Sequence, residues 1–233
     1  MPAVSEYGFN QNRINDMLDG IFSTVILKDV MARNTVTDEN LMGKIVRFMA
    51  DNIGNPSSPN STANFLASGR EIHKNDKVPA NRTVSTYMDM LEKAYIFYKL
   101  NRFDIKGKEY LKTQAKYYIV DTGIRNMLLG YRDADRGHIL ENVVCLELLR
   151  RGYRLSIGKV GDKEIDFIAE NQDSRVYIQV AETLRGAETL KRELASLAAV
   201  SDNHEKMIIT SDHSFIKSEN GIKLVNIIDF LLE

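Results

Sequence analysis

Residues 154–181 read RLSIGKVGDKEIDFIAENQDSRVYIQVA and contain three short runs rich in β-branched and aromatic residues. Such runs favour β-strands, and we predict strands over residues 154–159, 164–170 and 176–181. The pair Gly161-Asp162 predicts a tight turn between the first two of them. The fold of the second half of the chain therefore depends on this strand-rich stretch.

Helices are predicted on both sides of these strands. Apolar residues recur at helical spacing over 139–151, and Gly152 is a typical residue to end that helix. A second helix is predicted over 187–199. Further along the chain we predict strands at 206–210 and 223–225 and a terminal helix at 227–232. This succession predicts an α/β domain over residues 131–233.

The first half of the sequence predicts a mostly helical module over residues 1–130. Its pattern gives helices at 10–33, 41–52, about 58–66, 81–93 and 121–129, with strands at 95–104 and 117–120. Ser and Asn residues near position 58 can cap one helix, and Asn81 or Thr83 can cap another. Three helices and a hairpin are typical of a winged helix, so the whole chain is predicted to be α+β.

Positive charge is concentrated in one part of the chain. The 31 basic and 32 acidic residues nearly cancel overall, but residues 70–116 carry 11 basic and 6 acidic side chains. A winged helix would present these to a phosphate backbone; the candidates are Arg82, Lys99, Arg102, Lys106, Lys108 and Lys112. Winged helices also dock proteins, so DNA contact and protein docking are both open.

The remaining composition excludes several classes of protein. Cys145 is the only cysteine, so no intrachain disulfide or cysteine-based zinc site is possible, and we expect a buried thiol without a role. No apolar stretch reaches the ~18 residues of a membrane span, and the first residues lack the pattern of a signal peptide. We therefore expect a cytoplasmic protein without a membrane partner.

Three polar residues of the second half are expected to converge if the predicted strands are right. Glu141 lies on the helix that precedes the strands, Asp166 on the second strand and Gln179 on the third. Carboxylates at neighbouring strand positions are what a Mg²⁺ site for phosphodiester cleavage requires. Other interpretations are that Glu141 is a solvated helix acid near a helix N-terminus and that Gln179 hydrogen-bonds across the sheet.

Four segments around these residues resemble a known family. They are Leu140–Val144, Leu148–Tyr153, Glu164–Ala169 and Tyr177–Ala181, and they look like the domain of unknown function that follows the ATPase module in prokaryotic AAA-type ATP-binding proteins. The resemblance implies a winged helix followed by a PD-(D/E)XK nuclease-like domain. It also implies an upstream AAA-type ATPase partner, because Met1-Pro2 resembles the segment where that module ends.

The resemblance assigns the nuclease motif position by position. Glu141 matches the helical acid, Asp166 the first metal-binding acid and Gln179 the second position, so Glu141 and Asp166 would hold any Mg²⁺. The lysine position falls on Ala181, which can neither orient water nor stabilise charge. Lys159 or Lys163 could take its place.

The expected function is an accessory region that binds nucleic acid or a protein partner around a degenerate nuclease-like core. No GxxxxGK[ST] loop occurs in the sequence, so this chain is not expected to bind ATP, and we expect no bound cofactor. The alternatives are a working Mg²⁺-dependent nuclease with a migrated lysine and a protein-interaction scaffold.

Overall fold

The structure is a computed structural model that describes residues 10–34, 38–68, 79–213 and 217–233. The chain forms two units, and it passes between them three times. The first unit contains Met1–Lys99 and Tyr117–Arg132, and the second contains Leu100–Lys116 and Asp133–Glu233. Part of the predicted basic window, residues 70–78, lies outside the described residues.

The first unit is mainly helical, as the sequence predicts. Its helices are α1 (Gln11–Ile21), a π-helical segment (Phe22–Asp29), α2 (Val30–Asn34), α3 (Glu39–Asp51), α4 (Pro59–Ala67), α5 (Asn81–Lys93) and α6 (Thr122–Leu129). The helix predicted over 10–33 is therefore interrupted by the π-helical segment. Apolar side chains on α3, α4 and α5 are buried at helical spacing, among them Ile45, Met49, Leu66, Val84, Met88 and Leu91.

The N-termini of two helices in this unit show how the local sequence determines where a helix begins. Ser58 caps α4 through a capping box with Ser61, in which each side chain accepts a hydrogen bond from the other residue's backbone N–H. The predicted cap of α5 is wrong, because Ala80 occupies the N-cap position and makes no side-chain cap. Asn81 instead donates its side-chain amide to the Asn60 side chain.

In the described ranges, eight strands form one mixed sheet. Its strands are β1 (Phe97–Asp104), β2 (Glu109–Ile119), β3 (Arg154–Val160), β4 (Lys163–Glu170), β5 (Arg175–Ala181), β6 (Glu205–Thr210), β7 (Ser218–Glu219) and β8 (Ile222–Asn226). Their order is β2-β1-β3-β4-β5-β6-β8-β7. Strands β3, β4 and β5 are antiparallel neighbours, whereas β6 lies parallel to β5 and to β8.

Three helices accompany the sheet in the second unit. They are α7 (Arg136–Arg150), α8 (Ala187–Ala198) and α9 (Ile227–Leu232), and a 3₁₀ turn at Asp133–Asp135 precedes α7. Leu197 of α8 packs with Ile168 and Tyr177 in one buried apolar cluster, so this helix covers the strands that carry the predicted site. Cys145 is buried on α7, and burial raises the pKa of its thiol, as expected of an inert cysteine.

The predicted division of the chain at residue 130 differs from the observed one. The hairpin expected to form the wing of the first module contributes Leu100–Lys116 to the second unit. Arg102, Phe103 and Asp104 of β1 pair in parallel with Ile157, Gly158 and Lys159 of β3. This pairing satisfies backbone groups in the second half of β3 that would otherwise form an open sheet edge.

The observed architecture is a mixed α+β one, with helices and one large mixed sheet. Among the described residues, no helix combines the length and the apolar character that crossing a membrane requires.

Candidate functional site: a carboxylate cluster around Lys116

The ammonium group of Lys116 lies at the centre of three carboxylates of the second unit. Its Nζ is 2.9 Å from Glu164 Oε1, 3.1 Å from Glu141 Oε1 and 3.5 Å from Asp166 Oδ1. The lysine side chain is only 5% exposed. These residues come from β2, α7 and β4, so one buried cation joins three elements that are distant in sequence.

Asp166 and Gln179 are bound to each other across the ladder between β4 and β5. The Gln179 Oε1 accepts from the Asp166 backbone N–H at 2.7 Å, and the Asp166 Oδ2 accepts from the Val180 backbone N–H at 2.9 Å. The Gln179 amide nitrogen donates to Glu193 of α8 at 2.7 Å. This network fixes the orientation of both side chains.

Two arginines extend the charge network outward. Arg102 of β1 lies 3.7 Å from Glu164, and Arg192 of α8 lies 2.7 Å from Glu193. The cluster thus contains four carboxylates and, with Lys116, three cationic side chains. An open cavity of about 300 Å³ borders it, lined by Glu141, Asp166, Gln179, Arg192, Glu193 and Ser196 among others.

Burial and neighbouring charge shift two pKa values in the cluster. Burial raises the pKa of Asp166 to about 7, and the Glu141 carboxylate acts in the same direction, while Lys116 opposes both. Burial by itself lowers the pKa of Lys116, but Glu141, Asp166 and Glu164 outweigh it, so the net shift is upward. Lys116 is therefore charged near neutral pH, where Asp166 is only partly ionised.

The structure brings together the three residues that the sequence predicted to converge. Glu141, Asp166 and Gln179 all line the cavity. Glu141 is buried and hydrogen-bonded to Lys116, so its interpretation as a solvated helix acid is wrong. Gln179 does hydrogen-bond across the sheet, as the alternative for that residue proposed.

Neither lysine suggested as a substitute for Ala181 joins the cluster. Lys163 donates to the Ala195 carbonyl of α8 at 2.9 Å. Lys159 stands opposite Glu164 in the ladder between β3 and β4 but forms no ion pair with it. Sequence reasoning missed Lys116, although a lysine inside the apolar strand run Ala115–Ile119 was a usable signal of a buried cation.

Five of the six predicted phosphate-binding residues have side chains that the structure describes, and they are divided between the two units. Arg82 and Lys99 belong to the first unit, and Arg102, Lys106 and Lys108 to the second. Lys99 lies 3.9 Å from Glu92, and Arg102 is held by Glu164. Arg82, Lys106 and Lys108 are exposed, and in the part of the chain that the structure describes they make no ion pair. The structure says nothing of the Lys112 side chain.

The donor set does not fit a magnesium site built on Glu141 and Asp166. Lys116 takes an oxygen of each carboxylate, and the second Asp166 oxygen and the Gln179 oxygen accept from backbone N–H groups. Within the described ranges, no group of three or more His, Cys, Asp or Glu side chains is placed to hold a metal ion. Mg²⁺ demands near-ideal octahedral oxygen ligation, which these engaged oxygens do not offer.

Comparison with known proteins gives a family and two longer relatives. The family described as Domain of unknown function (DUF8612) matches residues 1–135. An uncharacterized protein of Haemophilus influenzae is 39% identical over 218 residues, which cover 93% of this chain and 52% of that protein. An uncharacterized protein of Methanocaldococcus jannaschii is 28% identical over 237 residues, covering 97% of this chain and 51% of that protein.

The chain therefore spans about half the length of the curated relatives it matches. No solved structure matches it.

Proposed function

From the premise that this chain belongs to the family of Domain of unknown function DUF8612, whose match covers residues 1–135, we propose that it is an accessory region of a longer AAA-type ATP-binding protein. It binds nucleic acid or a protein partner, and its nuclease-like core does not cleave. The resemblance of residues 140–181 to the domain that follows such ATPase modules supports this, and so does the roughly twofold length of the relatives.

One observation carries the non-cleaving part of the proposal: the buried Lys116 ammonium already pairs with an oxygen of each acid that would hold a metal. Gln179 is neutral where a second metal-binding acid would stand, and Ala181 offers only a methyl group. The loss of one preorganised stabilising group typically costs about 10²–10³ in rate. We therefore expect no cleavage above background.

Incubation of superhelical plasmid with Mg²⁺ or Mn²⁺ tests this directly. The wild type and Asp166→Ala should give the same nicking rate, at the level of a blank. Metal-dependent nicking that Asp166→Ala abolishes would contradict the proposal.

A second candidate is a working nuclease in which Lys116 replaces the motif lysine. The observation in its favour is that the Lys116 ammonium lies 3.5 Å from Asp166, at the site itself rather than beside it. In that case Lys116→Met should abolish cleavage, whereas Lys206→Met should not, because Lys206 donates to the Val200 carbonyl and belongs to another strand. Equal background cleavage rates in the wild type, Lys116→Met and Lys206→Met favour the accessory function.

Binding to nucleic acid would use the exposed basic residues that have no acidic partner. Reversal of the charge of Lys108 or Arg82 should weaken binding to all sequences about equally and reduce the dependence on log salt concentration by about one per lost phosphate contact. Lys191→Glu is the matched control, because Lys191 is also exposed but lies on α8, outside the basic window. If the wild type does not bind DNA at ~50 mM salt, docking to a protein is favoured.

A further inference from the structure

The position of Lys116 has a consequence for the chemistry of the cluster. A buried carboxylate is costly unless a cation or hydrogen bonds compensate it. Here one ammonium group is within 3.5 Å of three carboxylates from two elements. Its three N–H donors match the number of carboxylates, so the lysine can direct one donor at each of them.

We infer that Lys116 is an internal substitute for a divalent cation: it closes the cluster of Glu141, Glu164 and Asp166 to divalent metal ions, and its removal opens a metal site there. The inference rests on the proposed non-cleaving role of this core, but it concerns binding rather than cleavage. It explains why three clustered acids coexist with a donor set that does not fit a metal ion.

Distance and charge both support the substitution. A lysine nitrogen bonds carboxylate oxygens at about 2.7–2.9 Å, whereas Ca²⁺ binds them at 2.3–2.6 Å. The cluster, with distances of 2.9 to 3.5 Å, is thus wider than a metal cage while the ammonium is present. Without Lys116, the three carboxylates lose the ammonium group that lies within 3.5 Å of each of them, while Arg102 stays near Glu164.

The open cavity gives an ion a way in. It is lined by all three carboxylates and adjoins Arg192, whose side chain is 72% exposed. Ca²⁺ suits this space better than Mg²⁺ because it tolerates irregular ligation and completes its shell with water. A three-carboxylate site of this kind should have a dissociation constant of about 10⁻⁴–10⁻³ M.

The experiment is a calcium titration of the full chain. Binding is measured by calorimetry and by the change in melting temperature. The wild type should show no saturable binding below ~10 mM Ca²⁺. Lys116→Met should bind one Ca²⁺ with a dissociation constant in the range given above, and its melting temperature should rise by roughly 3–10 °C at ~10 mM Ca²⁺. Lys206→Met removes a half-buried lysine from a carbonyl rather than from carboxylates, and it should behave like the wild type.

A double variant locates the ion and a second one guards against misfolding. Lys116→Met with Asp166→Asn should lose the calcium response. If Lys116→Met alone does not fold, Lys116→Met with Glu164→Gln removes one carboxylate together with the ammonium, and it should fold and still bind Ca²⁺, more weakly.

Two results would overturn the inference. The first is a folded Lys116→Met protein, or its Glu164→Gln partner, without calcium binding. The second is saturable calcium binding by the wild type that Asp166→Asn abolishes. A failure of this inference leaves the plasmid assay unaffected, because that assay measures cleavage and this one measures binding.

Discussion

Asp166 shows how one residue can be central to the site and unfavourable for the fold. Its carboxylate accepts from the Val180 amide and lies near Lys116, yet burial and the Glu141 charge prevail and raise its pKa to about 7. A buried charge that is only partly compensated is typical of functional positions in proteins. Its free-energy cost should be visible as a function of pH.

We expect Asp166→Asn to remove a pH dependence of stability that the wild type shows. The folded-state pKa exceeds the unfolded value of about 3.9, so between about pH 4 and pH 7 the folded chain holds the proton more tightly. Stability is therefore highest below this window and falls as the pH rises through it, by up to about 1.4 kcal/mol per pH unit from this group. Urea unfolding between pH 4.5 and 8 measures the effect.

A comparison of Asp166→Asn with Asp162→Asn separates the pH dependence that is due to Asp166 from that of other titrating groups. Asp162→Asn makes the same charge change in the exposed turn between β3 and β4, and its profile should run parallel to that of the wild type. A difference between wild type and Asp166→Asn that stays constant with pH would contradict the expected proton linkage.

At this scale the sequence predicts part of the site. Alternation along β4 and β5 correctly brings Asp166 and Gln179 together, because side chains of period two share a face. The partners of Lys116 could not be assigned, since Glu141 and Glu164 lie on a helix and a strand that are distant from it in sequence. The predicted substitute Lys163 binds a helix carbonyl instead.

Helix caps decide where the helices of the first unit begin. Ser58→Ala removes the side chain that accepts from the Ser61 N–H, and it should destabilise the protein by about 1 kcal/mol. Asn81→Ala is the matched control, because Asn81 lies after the N-cap of α5 and its side chain donates to the Asn60 side chain at the surface. It should change the free energy of unfolding by less than ~0.5 kcal/mol. Equal losses in urea unfolding would contradict this assignment of the caps.

Gly158 of β3 lies where neighbouring segments of the same chain approach its backbone closely. A Cβ at this position would stand 2.9 Å from the Ile165 Cβ, 3.2 Å from Ile105 Cδ1 and 3.3 Å from Ile168 Cγ1. Gly158→Ala should therefore destabilise the protein by about 1–3 kcal/mol through overpacking. Melting temperature and urea unfolding measure this loss.

The same substitution at Gly137 should act in the opposite direction. Gly137 lies in α7, and no heavy atom would be within 4 Å of an added Cβ. Gly137→Ala should be neutral or stabilising by a few tenths of a kcal/mol, because it reduces the freedom of the unfolded chain. If alanine at both positions changes the free energy of unfolding equally, the close approach at Gly158 does not exclude a Cβ there.

Most elements were predictable because their patterns are local. The observed strands β3, β4 and β5 agree with the predicted ones to within one residue at each end. Strand β2 begins at Glu109 rather than at residue 117, since its polar outer half lacks the apolar signal of a strand. The two-residue β7 is too short to give a pattern at all.

On the scale of the whole molecule, the division into units depends on pairing between distant segments. Arg102 pairs with Ile157 across more than fifty residues of sequence, and local patterns carry no information about such a partner. This is why local patterns did not predict that Leu100–Lys116 belongs to the second unit. The family match over residues 1–135 also includes that segment.

A fragment of residues 131–233 should therefore not fold stably, although it contains the whole predicted α/β domain. It lacks the β1 residues that pair with β3 and also Lys116, so Glu141, Glu164 and Asp166 lose their central cation. Breaking a buried ion pair by removal of one partner costs about 3–5 kcal/mol, a large share of the 5–15 kcal/mol that ordinarily stabilises a domain. The fragment of residues 97–233 is the control, because it retains both hairpin strands. Circular dichroism should show a cooperative thermal transition for the longer fragment only. A cooperative transition of the shorter fragment at the same temperature would show that the hairpin and Lys116 are dispensable for the fold.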